Sequence, residues 1–291
     1  MQIKRKPDWL KVKLPASREF THVKEILSSF HLHSICEEAR CPNMTECFHS
    51  GTATFLILGN ICTRNCRYCN VRHGNPDGVD ESEPERLAQA VKKLGLRYVV
   101  VTSVTRDDLP DGGAEILARC VERLHREIPG CRVEVLIPDL QGNRNALDRI
   151  IRTRPYVINH NMEVVPALFS DLRPQGNYET SLELLRRIQR YNEHPPMPSS
   201  HIKIITKSGF MVGLGESWED IVMLLHDLAS VGCERVTIGQ YQQPTRNHSP
   251  VVKYYHPDEF AFLRGMAYKM GLKHVEAGPL VRSSYRAAET M

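Results

Sequence analysis

From residue 52 onward, short apolar runs alternate with longer amphipathic stretches. Residues 54–58, 98–104, 133–137, 156–159, 202–205 and 236–238 are rich in β-branched and aromatic side chains, the composition of buried strands. Between them apolar positions recur every three or four residues, which predicts helices. Leu87, Val91 and Leu94 share one face, and Ile116, Cys120, Leu124 and Ile128 share another. Leu147, Ile150 and Ile151 form a third stripe, Leu182, Leu185 and Ile188 a fourth, and Ile221, Leu225 and Leu228 a fifth. Residues 257–270 predict a sixth helix. Strand–helix alternation joins parallel strands through right-handed crossovers. Six such units predict a partial (β/α)6 TIM-type barrel, short of the eight units of the full form. A doubly wound open sheet is the alternative. The pattern divides the chain into an N-terminal extension at 1–51, the barrel at 52–270 and a C-terminal tail at 271–291. No internal repeat is visible, and residues 194–200, with Pro195, Pro196 and Pro198, predict a stiff loop before the fifth strand.

Composition narrows the class. With 41% hydrophobic and 25% charged residues the chain can build an ordinary globular core. Its formal net charge of +4 is too small to point to nucleic acid. Residues 1–14 are charged and carry no apolar signal core, and no apolar run approaches the ~18 residues of a membrane span. A cytoplasmic enzyme is the expectation, with no membrane and no nucleic-acid partner. Nine cysteines in such a chain are then reduced thiols. Six of them lie between Cys36 and Cys69.

Cys62, Cys66 and Cys69 have the spacing C-x3-C-x2-C directly after the first barrel strand. Three thiolates on one short loop can each hold one iron of a [4Fe–4S] cube and leave the fourth iron open to a small chelating molecule. In a barrel, the loop after a strand sits on the catalytic rim. Structural zinc prefers paired knuckles separated by a longer loop, which this spacing fits badly. The loop, with Tyr68 just before its third cysteine, resembles the cluster loop of the radical S-adenosylmethionine (SAM) superfamily. Gly209-Phe-Met-Val-Gly213-Leu-Gly-Glu216 resembles that superfamily's G-x-I-x-G-x-x-E pattern, with Met211 at the isoleucine position.

Another triad, the first in chain order, is Cys36, Cys41 and Cys47 with the spacing C-x4-C-x5-C, which is neither a zinc knuckle nor a helical stripe. The two triads in this order resemble the lipoyl synthase family, as do Thr102–Asp108, Asn159-His-Asn-Met-Glu163, Leu172-Arg-Pro174 and Arg282-Ser-Ser-Tyr285. The resemblance implies an auxiliary [4Fe–4S] cluster on Cys36, Cys41 and Cys47, with Ser283 rather than Ser284 on its fourth iron. It also implies a second [4Fe–4S] cluster, on Cys62, Cys66 and Cys69, that binds and cleaves SAM. The implied activity is insertion of sulfur, taken from the auxiliary cluster, at C6 and C8 of an octanoyl chain. That chain is carried on a lysine of a lipoyl-carrier protein domain, and a flavodoxin or ferredoxin supplies electrons. The family usually has threonine where this chain has Val164 and frequently histidine where it has Arg286.

Asp107, Glu163 and Glu216 lie just past strand ends and are candidates for the SAM amino group or ribose, against the ordinary alternative of surface carboxylates. Arg173 is a candidate for the SAM carboxylate, which its planar fork suits. Cys120 reads as a small core residue, and Cys131 and Cys233 precede the third and sixth strands, on the barrel rim that reads as stability. Arg40, Arg64, Arg67, Arg72, Arg106, Arg246 and Arg282 are expected to form a basic rim for an acidic carrier, with ordinary solvated arginines as the alternative. A different radical SAM sulfurtransferase and a non-catalytic two-cluster electron carrier are the rival readings.

Overall fold

The structure is a computed structural model that describes residues 5–12, 18–49, 53–195 and 202–288. Pro196 to Ser200 of the predicted proline-bearing loop, and Met1 to Lys4 and Lys13 to Leu14 of the charged start, lie outside the described residues. The chain order of strands is β1 (His33–Ser34), β2 (Thr54–Ile57), β3 (Ile61–Cys62), β4 (Arg72–His73) and β5 (Tyr98–Ser103). Then come β6 (Arg132–Leu136), β7 (Val157–Asn159), β8 (Ile205–Val212), β9 (Arg235–Gln240) and β10 (His274–Gly278). Helices α1 (Arg18–Ser29), α2 (Ile35–Glu38) and α3 (Met44–His49) precede the parallel strands of the main sheet. Between and after its strands lie α4 (Glu83–Lys93), α5 (Ala114–Glu127), α6 (Arg144–Arg152), α7 (Pro166–Leu172), α8 (Tyr178–Glu193), α9 (Trp218–Ser230) and α10 (Pro257–Lys269).

One eight-stranded sheet runs β1-β2-β5-β6-β7-β8-β9-β10, and every pair in it is parallel except β1 with β2. This is the parallel α/β architecture that the alternation of strands and helices predicts, with the strands in chain order as a barrel requires. Each long helix turns its predicted stripe inward. Ile116, Cys120 and Leu124 of α5 are at most 4% exposed, and burying a leucine of this kind contributes roughly 2 kcal/mol. Side-chain caps start the helices after the loops: Asn143 accepts from Ala146 N, and Asn177 from Thr180 N.

Two expectations need correction. The fifth barrel strand is Ile205–Val212 and not residues 202–205. Its Lys207 side chain is buried and donates to Glu134 at 2.8 Å, so a polar position here faces the interior and hides the strand from an apolar-run reading. The predicted tail at 271–291 is not all tail either. Its first part forms β10, which extends the parallel sheet beside β9, His274 opposite Arg235 through Gly278 opposite Gly239.

Candidate active site: two cysteine triads at one rim

The loop from Cys62 to Cys69 begins at the end of β3, and Cys69 N bonds back to Cys66 O at 3.1 Å. Three other loops hold its backbone. Thr63 N donates to Thr105 O (3.0 Å) after β5, and Arg67 N donates to Leu172 O (3.0 Å) at the end of α7. After β9, Ser249 N donates to Arg67 O (2.9 Å), and His248 Nε2 lies 2.8 Å from Cys69 O. Arg64 adds a side-chain anchor. Only 6% exposed, it forks onto Asp107 at 2.7 and 2.9 Å and onto Asp139 at 2.6 and 2.7 Å. Burial pushes the Asp139 carboxyl up, but Arg64 outweighs this and holds it below the usual carboxylate range. A lysine could not span both carboxylates, because it lacks the planar fork.

Cys66 and Cys69 sit where bare thiolates are disfavoured. Burial pushes Cys66 up, with Arg173 opposing and Cys62 and Glu163 adding to the rise. Cys69 is pushed up to about 12 by burial, and the charges of Cys66 and Cys62 act the same way. The first triad repeats the pattern. Cys36 opens α2 with its amide capped by Ser34, and Cys41 N bonds to Cys36 O at 2.9 Å. Cys47, on α3, is pushed up to about 12 by burial and by the charges of Cys36 and Cys41. All six are free thiols.

Two groups of three mutually coupled sulfur donors fit the donor set of two iron–sulfur cubes, since bound iron supplies the positive charge that buried thiolates lack. A cube spreads its cysteines over three corners and does not need them to converge on one point. Among the described residues no three His, Cys, Asp or Glu side chains do so converge.

The C-terminal segment after β10 lies against both regions. Asn43, between Cys41 and Cys47, donates to Leu280 O at 2.6 Å, and Glu46 accepts from Tyr285 and Arg286 at 3.1 to 3.2 Å. Arg282 lies within electrostatic reach of both Cys41 and Glu163. The Ser283 hydroxyl oxygen accepts from Asn161 Nδ2 at 2.5 Å, and that same amide reaches Glu163 at 2.9 Å. Of the four SAM candidates, Glu163 and Arg173 are brought beside Cys66. Glu163 is held at φ +69° by Glu163 N to Gly209 O (3.0 Å) and Met211 N to Glu163 O (2.8 Å), a strained conformation of the kind found at functional sites. Arg173 donates to the carbonyls of Asn161 and Met162, and its buried Nε has no partner. Asp107 is committed to Arg64. Glu216 accepts from the amides of Gly213 and Leu214 at 2.6 and 2.9 Å and so closes its own loop.

A profile of the Radical SAM superfamily matches residues 56–228, and one of the N-terminal domain of lipoyl synthase of the Radical SAM family matches residues 1–41. A lipoyl synthase of Rubrobacter xylanophilus is 50% identical over 98% of this chain and 86% of its own. This chain belongs to the lipoyl synthase family. A second such relative, from Caldanaerobacter subterraneus subsp. tengcongensis, is 49% identical over 97% of this chain and 96% of its own. Among solved structures, methylornithine synthase (PylB) matches with a TM-score of 0.54 at 12% identity, covering 88% of this chain and 81% of that one. The hydrogenase maturase HydG from Carboxydothermus hydrogenoformans matches with a TM-score of 0.54 at 15% identity, over 81% and 64% of the two chains. Those two likenesses concern the fold.

Within this lipoyl synthase-family chain, the expected basic rim is smaller than the sequence suggests. Arg64 is consumed by Asp107 and Asp139, and Arg106, 2% exposed, is consumed by Asp108. Arg282 is only partly exposed and donates to its neighbour's carbonyl, Val281 O, at 2.7 Å. Arg40, Arg67, Arg72 and Arg246 remain exposed, Arg67 in a pair with Asp171. Sequence reasoning also passed over three residues. Asn161 and Asp139 carry no spacing signal, and His248 is one of thirteen histidines without pattern. Only their position after strands β7, β6 and β9 marks them.

Proposed function

We propose that this chain is a lipoyl synthase, inserting sulfur at C6 and C8 of an octanoyl chain carried on a lysine of a lipoyl-carrier protein domain. The observation that carries the reading is one C-terminal segment bonded to Asn43 and Glu46, between Cys41 and Cys47, while its Ser283 accepts from Asn161 beside Glu163. When bound, a [4Fe–4S] cluster on Cys62, Cys66 and Cys69 supplies the electron that cleaves SAM, and a second on Cys36, Cys41, Cys47 and Ser283 supplies sulfur.

The chain's own residues do the positioning. Arg173 presents a buried, unpartnered Nε beside Cys66, which suits the carboxylate of an amino acid. Glu163, opposite in charge and fixed by Asn161, suits its ammonium group. Burial around Tyr68, Arg173 and Asn161 excludes water from a reaction that must not leak radicals. On a bound auxiliary cluster Ser283 would offer a hard oxygen among soft thiolates and would be its most labile protein ligand.

The reductant is a small electron-transfer protein such as a flavodoxin or ferredoxin, and the compartment is the cytoplasm, where nine free thiols stay reduced. Another radical SAM sulfurtransferase would have no use for a first triad joined to the C-terminal segment, and an electron carrier would have none for the Arg173–Glu163 pair. The test is mass spectrometry of an octanoylated lipoyl-domain peptide after anaerobic incubation with reconstituted protein, SAM and reductant. The expected product carries two sulfurs in place of two hydrogens. An unchanged peptide with 5′-deoxyadenosine still formed would remove the lipoyl synthase reading.

A further inference from the structure

Two strands of the sheet lack a side chain where the C-terminal segment crosses them. Gly209 of β8 stands opposite Thr237 of β9, and Gly239 of β9 stands opposite Met211 of β8 and Gly278 of β10. Neither glycine has a backbone angle that demands glycine, so what demands it is space. A Cβ on Gly239 would lie 2.2 Å from the Val281 carbonyl oxygen and 3.1 Å from Arg282 Nη1. The first of these is backbone, so the whole segment would have to lift. A Cβ on Gly209 would lie 2.3 Å from Thr237 Oγ1 on the neighbouring strand, the tightest contact, and also 3.0 Å from Asn161 Oδ1 and 3.3 Å from Ser283 Oγ.

Asn161 completes the arrangement. It is 8% exposed, and its Nδ2 reaches Ser283 Oγ at 2.5 Å while its Oδ1 has no partner. The amide therefore donates to the serine oxygen and leaves the hydroxyl hydrogen uncommitted. A donor aimed at that oxygen stabilises the negative charge the oxygen carries as a ligand.

The geometry points to Gly239 and Asn161 as positioning residues for Ser283. Gly239 admits the segment's backbone onto the sheet, and Asn161 catches and orients the serine oxygen. This rests on the reading of Ser283 as a ligand of the auxiliary cluster, and it goes further by naming what delivers the serine there.

The test uses the full chain, anaerobically reconstituted, as Gly239→Ala, Asn161→Ala, Ser283→Ala and the Asn161→Ala/Ser283→Ala pair. Hydrogen exchange is read at Val281, Tyr285 and Ala287, whose amides bond within the segment to Gly278 O, Arg282 O and Ser284 O. Losing one side-chain hydrogen bond should speed exchange there roughly five- to tenfold, with α4 and α5 exchanging as in the wild type. Gly239→Ala should do at least as much, and Asn161→Ala should add nothing once Ser283 is gone, as a coupled pair requires. If Gly239→Ala fails to fold, Asn161→Ala and the double variant still decide the matter. Segment exchange at the wild-type rate in folded Asn161→Ala overturns the proposal, and so does an additive double variant. Mössbauer spectra separate the two claims. A loosened segment with an auxiliary-cluster spectrum like that of Ser283→Ala, itself shifted from wild type, supports both. If Ser283→Ala leaves the spectrum unchanged while Asn161→Ala loosens the segment, positioning stands and the ligand reading fails.

Discussion

Arg64→Met removes the anchor of the Cys62–Cys69 loop while nearly preserving volume. Four N–H···O contacts between 2.6 and 2.9 Å disappear. Their loss is unequal in effect. The Asp107 side chain is 27% exposed and regains water, whereas Asp139 is 3% exposed and keeps only the Gln141 amide, at 3.0 Å. Breaking a buried pair so that one charge stays buried costs about 3 to 5 kcal/mol. Taking about 3 kcal/mol, the melting temperature of a chain this size should fall by about 5 °C. Arg64→Lys keeps the charge but reaches one carboxylate only, so its fall should be smaller. The pH dependence has a definite sign. In the wild type, Asp139 is held below its usual range, so its contribution is present above the unfolded carboxylate value and is lost as pH falls through the lowered one. In the variant the unpaired Asp139 takes up a proton more readily and escapes the penalty. The gap between the two melting curves, followed by far-UV circular dichroism, should therefore narrow from about pH 7 toward about pH 4. A fall of less than 1 °C would refute the anchor, and a gap that does not change with pH would refute its electrostatic origin.

Glu216→Gln leaves one of the Gly213 and Leu214 amides facing an NH2 group and should cost about 2 kcal/mol; unchanged exchange at those two amides would contradict the loop-closing role. Arg72→Glu with Arg246→Glu should slow association of an acidic carrier domain about tenfold at low salt, with the difference shrinking above physiological ionic strength. A rate that ignores both the charge reversal and the salt would remove the basic rim.

The sequence makes the sheet legible where β-branched residues dominate a strand, even where one charge interrupts it, as Glu134 does in β6. Val133 and Val135 announce β6 and Val99 to Val101 announce β5 because both faces of those strands are buried. β8 and β10 escape the same reading. In β8, Lys207, Ser208 and Gly209 replace an apolar run, because the interior there holds the Glu134–Lys207 pair and the C-terminal segment. In β10, His-Val-Glu-Ala-Gly buries only Val275 fully. The cysteines were readable because cluster chemistry fixes their type and leaves their spacing visible. Arg64 and Arg106 misled because an arginine's sequence position does not reveal whether its fork closes on a carboxylate of its own chain, distant as Asp107 and Asp139 are from Arg64 or adjacent as Asp108 is to Arg106, or on a protein in solution. Asn161 lies in the family-like stretch from Asn159 to Glu163, but no pattern gives its role, which is created by the meeting of residues 161 and 283.

In the proposed reaction the two triads divide the work between SAM cleavage and sulfur supply. The most direct measurement compares Cys41→Ala with Cys66→Ala, each checked for folding and for iron, against a wild type expected to hold about eight irons in two cubes. Both products are quantified on an octanoylated lipoyl-domain peptide. Cys66→Ala should lose 5′-deoxyadenosine and lipoyl product together. Cys41→Ala should retain 5′-deoxyadenosine and lose lipoyl product. A folded Cys41→Ala protein with about four irons that made lipoyl product at the wild-type level would place the sulfur elsewhere and contradict the account.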